Sequence, residues 1–178
     1  MTVTRRIIGL APLALTLLAG IAFAQGVTLP DVERVQLDNG TVLLLSEKPE
    51  VPLVSVTAIL RGGAVVDPDG RSGLANLLAA LLEKGAGDRD AAAFAETVDA
   101  SGGMLTSRAD LETITVSGNF LARDADLMVE LLADMLVRPQ LDEAEFEKLR
   151  ERSINFIRAA KDTNLNAVLP VYGQAFLF

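Results

Sequence analysis

No cysteine and no histidine occurs anywhere in this chain of 178 residues. The first absence rules out a disulfide framework, so an oxidising compartment would find no bond to form. The second weighs more, because imidazole and thiolate are the usual ligands of zinc. A chain without either is left with carboxylates, amides and carbonyls, which suit harder cations. Positive charge is also scarce: 16 Lys and Arg stand against 24 Asp and Glu, a formal charge of −8. An acidic surface repels phosphate, which makes nucleic acid a poor partner. The pairs Gly62-Gly63 and Gly102-Gly103 lack the lysine and the strand-to-helix setting of a phosphate loop and read as turns. No internal repeat is visible, and with half its residues apolar the chain can build one ordinary core and little more.

The amino-terminal stretch stands apart from the rest. Arg5 and Arg6 precede an apolar run from Ile7 that ends in Ala22-Phe23-Ala24 before Gln25, the order of a secretory signal peptide. Gly9, Pro12 and Gly20 interrupt the run, so cleaved export, to the periplasm, is expected over the alternative of a membrane anchor. The twin arginine with Ile8 also hints at the twin-arginine route. Cleavage after Ala24 removes both arginines and leaves a mature chain of about −10.

Beyond the signal, Val32 to Leu37, the turn Asp38-Asn39-Gly40 and the β-branched run Thr41 to Leu45 predict a hairpin. Leu53 to Leu60 predicts a further strand, closed by the breakers Arg61-Gly62-Gly63 and Asp67-Pro68-Asp69-Gly70. Ser72 is placed to cap a helix over Gly73 to Lys84, where Leu74, Leu77, Leu78, Leu81 and Leu82 form a stripe expected to face the core. Asn76, Ala79, Ala80 and Glu83 occupy the other face. A second helix is expected from Asp90 to about Ala100, ended by Gly102-Gly103. Two strands follow, Met104 to Ala109 and Leu111 to Gly118.

A third helix over about Ala125 to Val137 must stop before Pro139. The fourth begins with Asp142 and Glu145 at capping-box spacing and carries Phe146, Leu149, Ser153, Phe156 and Ile157 on one face. Its acids Asp142, Glu143, Glu145 and Glu147 read as a solvated face suited to the helix dipole rather than a metal site. This order of elements gives an α+β domain, helices packed on a mainly antiparallel sheet. The closing segment, Val168 to Phe178, is too apolar for a solvated tail and is expected to need cover.

Gly73-Leu74-Ala75-Asn76-Leu77-Leu78-Ala79-Ala80-Leu81-Leu82-Glu83-Lys84-Gly85 resembles the zinc-site helix of the pitrilysin, or insulinase-type, metallopeptidases. Active members carry His-x-x-Glu-His there. Arg61-Gly62-Gly63, Gly102-Gly103 leading to Thr106-Ser107-Arg108-Ala109-Asp110, and the late helix after Leu141-Asp142 are similar to that family's amino-terminal domain in order and spacing. The resemblance places the first His on Asn76, the catalytic Glu on Ala79 and the second His on Ala80. The family's third ligand, a Glu on the late helix, is matched by Asn155 or Phe156.

Every metal position and the catalytic base are therefore missing. Asn76 reads as an ordinary hydrogen-bonding amide, Ala79 and Ala80 can only pack, and Phe156 is expected in the core. No cofactor is expected, although active relatives hold zinc. The resemblance implies residues 25–178 as a single pitrilysin-like amino-terminal domain, truncated before the family's second domain. It further implies a non-catalytic subunit, inactive alone, that joins an active family metallopeptidase around a peptide in a shared chamber. A structural or assembly protein of the same fold, or a peptidase with an atypical metal site, are the alternatives.

Overall fold

The turn at Asp38-Asn39-Gly40 forms from its own chemistry. Gly40 takes φ 85, a left-handed value that costs glycine nothing, and Asn39 Oδ1 accepts from the Thr41 amide at 3.0 Å. The flanking strands β1 (Glu33–Gln36) and β2 (Val42–Leu45) pair antiparallel, with Val35 opposite Leu43. The computed structural model describes residues 31–163. The expected signal peptide over 1–24 and the apolar segment 168–178 lie outside the described residues. The chain divides into two units, Met1–Lys48, which holds this hairpin, and Pro49–Phe178.

In the second unit, β3 (Leu53–Arg61), β6 (Met104–Ala109) and β7 (Thr113–Leu121) form an antiparallel sheet in the order β3-β7-β6. Between β3 and β6 come α1 (Leu74–Leu82), a two-residue pair β4 (Gly85–Ala86) and β5 (Arg89–Asp90), and α2 (Ala91–Ala100). Helices α3 (Ala125–Val137) and α4 (Glu143–Thr163) follow β7. The α+β architecture expected from the order of elements is the one observed. No helix among the described residues is long and apolar enough to cross a membrane.

Strand alternation divides the sheet into two chemically different faces. Val54, Val56, Ala58, Leu105, Val116 and Phe120 point one way and pack with Phe94 and Val98 of α2 and Met128, Leu131 and Met135 of α3. Ser55, Thr57, Ser117 and Asn119 point the other way, with Ser55 Oγ donating to Asn119 Oδ1 at 2.7 Å. Gly103 is required by closeness rather than by backbone angle: a Cβ there would enter the ring of the buried Phe120.

The helix ends are set by side chains, and one of them departs from expectation. Asp90 caps α2 by accepting from the Ala93 amide (2.8 Å), and Asp142 caps α4 by accepting from the Glu145 amide (3.0 Å). Glu145 does not complete the box, because its carboxylate accepts instead from Lys148 Nζ at 2.7 Å. At α1, Ser72 makes no cap. Gly73 is the N-cap, at φ 96, and the orphan amides are taken by Asp67, which accepts from Gly73 N (2.7 Å) and Ala75 N (2.9 Å). A carboxylate reaching back from the preceding loop satisfies two donors and suits the positive end of the helix, which a neighbouring hydroxyl cannot match.

The leucine stripe of α1 is also only partly inward. Helix α1 lies against both β6 and α4, so it is covered on two sides. It buries Ala75, Ala79, Leu81 and Leu82 while leaving Leu74 and Leu78 exposed. Small residues four apart, Ala75 and Ala79, allow the close approach, and Leu74 and Leu78 turn outward. On α4, Leu149 is buried but Phe156 is 73% exposed and Ile157 is exposed too. The expected core role of Phe156 is thus corrected: the apolar face of α4 is used in its first half and open to solvent in its second.

Candidate functional site

Helices α1 and α4 pack against each other, which brings the two segments of the degenerate motif side by side. The individual positions are less well gathered. Asn76 is exposed, Ala80 is half-buried, and Ala79 is only 2% exposed, sealed in the packed face of α1. The sequence pattern places all three on the face away from the leucine stripe, and Ala79 is nonetheless buried because α1 is packed on two sides. Asn155 and Phe156 are both exposed, and the half-buried residue of that stretch of α4 is Ile154.

These positions do not fit zinc. Asn76 and Asn155 offer neutral amides, Ala79, Ala80 and Phe156 offer no donor atom, and the chain contains no imidazole or thiolate to replace them. Among the described residues, no three His, Cys, Asp or Glu side chains are grouped so as to hold a metal ion. The position that the resemblance assigns to the base, Ala79, is a buried methyl group and carries no group that could accept a proton.

Two polar features carry no local sequence pattern, one at the end of α1 and one on α3. Glu83, the C-cap of α1, accepts at Oε1 from the Ser107 amide on β6 at 2.6 Å, and the Ser107 hydroxyl is buried without a hydrogen-bond partner. The second feature is a charged cluster that links α3 to β5. Asp134 of α3, 4% exposed, accepts at Oδ1 from Arg138 Nη2 (2.6 Å) and at Oδ2 from Arg89 Nη1 (3.3 Å), while Arg89 Nη2 also donates to Glu130 (2.6 Å). The Asp134 hydrogen bond and charge hold the Arg138 guanidinium above its usual pKa. The available signal was Asp134 itself, three residues after Leu131 on the buried side of an apolar helix, where a lone acid needs a partner.

A cleft of ≈ 280 Å³ lies where α1 ends and α2 and α4 begin, lined by Lys84, Asp90, Gln140, Asp142 and Glu145. Two of its carboxylates are the helix caps and a third pairs with Lys148, so its acids are committed to architecture. It does not include the degenerate positions.

The family model described as Insulinase (Peptidase family M16) matches residues 42–172. Among solved structures, a peptidase M16 inactive domain from Pseudomonas fluorescens superposes with a TM-score of 0.70 at 19% identity, over 75% of this chain and 32% of that one. A protease from Helicobacter pylori gives a TM-score of 0.68 at 24% identity, again over 75% of this chain and 32% of that one. The present chain therefore spans about a third of the length of these solved relatives. No curated protein matches it.

Proposed function

Since the chain belongs to the insulinase family, peptidase family M16, we propose that it is a non-catalytic, peptidase-like subunit that pairs with a zinc-bearing member of the family and helps hold peptide for it. The observation that carries this reading is the state of α1. The helix sits between β6 and α4 with its fold-defining contacts made, while the position of the catalytic base is a buried alanine, Ala79. A framework complete in packing and empty of donors suits a scaffold for another chain's chemistry. The likeness to a solved domain described as inactive is in keeping with it.

Export completes the proposal. The apolar run behind Arg5 and Arg6, ending at Ala24, supports a periplasmic protein whose mature chain begins at Gln25. Amino-terminal sequencing of the secreted form tests that part, and a full-length membrane-bound product would instead indicate an anchor. Pairing is tested by co-purifying the mature chain with a His-x-x-Glu-His relative and assaying a quenched-fluorescent peptide. The expected result is a stable complex that hydrolyses faster than the relative alone. A chain that stays monomeric beside such a relative and leaves its rate unchanged is no partner.

A further inference from the structure

Strand β6 is an edge of its sheet, paired only with β7 among the described residues. The hairpin closes through the Asp110 amide donating to the Thr113 carbonyl at 2.8 Å. Antiparallel alternation then turns the backbone groups of Thr106 and Arg108 toward β7, and those of Leu105, Ser107 and Ala109 toward the open edge. An extended peptide adding to that edge would pair with these three outward residues, spaced two apart. The middle one is taken: the Ser107 amide donates to Glu83 Oε1 at 2.6 Å.

We propose that Glu83 is a stopper on the β6 edge, and that displacing its carboxylate is what opens the edge to an extended peptide without acidic side chains. Three observations converge on it. The carboxylate occupies the central donor of the edge, so an added strand loses that pairing. It also faces the carbonyls an incoming strand would bring, which it repels. Finally, Glu83 is the C-cap of α1, where the helix dipole disfavours negative charge, and the Ser107 amide is the contact that offsets this. The proposal deepens the peptide-holding part of the reading above and does not depend on pairing with a zinc-bearing chain.

The test uses the full chain and a neutral, fluorescein-labelled ten-residue peptide alternating threonine and valine, followed by anisotropy. A second peptide is N-methylated on the amides that would face the edge. Glu83→Ala is expected to bind the first peptide about tenfold more tightly than the wild type, the worth of one recovered backbone hydrogen bond, and to show no gain with the second. Glu83→Gln keeps an amide oxygen in reach of Ser107 and is expected to stay closed. Equal affinity of wild type and Glu83→Ala, whether both bind or neither does, overturns the proposal. Self-association of Glu83→Ala in place of peptide binding overturns the peptide as occupant. Should the variants fold poorly, amide exchange in the wild type decides: slow exchange at Ser107 supports the stopper, and exchange as fast as an open-edge amide contradicts it. The pull-down with a His-x-x-Glu-His relative does not involve Glu83, so the two readings fail separately.

Discussion

Two buried positions on different helices, Ala79 on α1 and Asp134 on α3, treat a carboxylate in opposite ways. Both are nearly sealed from solvent, at 2% and 4% exposure. At Asp134 two guanidinium groups close on the acid, and the cluster ties α3 to the β4–β5 pair. At Ala79 the position expected to carry the family's catalytic acid packs as a methyl group. Among the described residues, the one buried charged side chain therefore holds elements together. Burial alone does not decide whether an acid is tolerated; the partners supplied at the site do.

The comparison is broken most severely by placing the acid where the partners are missing. Ala79→Glu should destabilise the fold by about 3 kcal/mol or more, through overpacking and an unpaired buried carboxylate, read as a lower urea midpoint. The fuller reversal, Asn76→His with Ala79→Glu and Ala80→His, inherits that cost. It should give at most weak metal binding and no measurable peptide hydrolysis, because neither Asn155 nor Phe156 supplies the third ligand. Adding a Glu at Asn155 or Phe156 should then raise zinc affinity at one of the two positions, which identifies the matching residue.

Removing the acid where the partners are present is next in size. Asp134→Ala should cost about 2–3 kcal/mol, the scale of hydrogen bonds to charged groups. The figure stays below that of a fully buried pair because Arg89 and Arg138 both reach solvent and can rehydrate. A urea midpoint unchanged from wild type would make the cluster ornamental. Gly87 sharpens the same point. It adopts φ 59, and a Cβ there would press on the Asp134 carboxylate, so Gly87→Ala should lose about 1–2 kcal/mol. The double variant with Asp134→Ala should lose less than the two together, since one clash is removed with the acid.

The smallest effect belongs to the exposed pair on α4. Lys148 beside Glu145 has its pKa raised, by the hydrogen bond first and the charge second. A lysine raised in the folded state contributes fully below its unfolded pKa and loses that contribution as pH rises through the folded one. Lys148→Met should therefore shift the urea midpoint barely beyond error at neutral pH, and not at all once the pH stands above the raised, folded-state pKa of this lysine.

Much of the fold was legible because its signals are local. The period of α3 and Pro139 beyond it place that helix at Ala125–Val137, and the Asp-Asn-Gly turn places the β1–β2 hairpin. The short β4–β5 pair was not legible, since strands of two residues carry no alternation. The expected cap Ser72 gives way on α1 to Asp67, which reaches the helix start across a loop that local spacing does not describe. The degenerate positions are assigned by the resemblance alone, and the burial of Ala79 is not legible in it. That depends on how β6 and α4 pack on α1, contacts between segments distant in sequence. For the same reason Glu83 gave no signal: its partner is an edge amide on β6.

The central claim is that this chain keeps the framework of a metallopeptidase site and lacks the means to hold its metal. Elemental analysis of the purified mature chain, dialysed after exposure to excess zinc, tests it most directly. The account predicts well under one zinc per chain; one tightly held zinc per chain would contradict it.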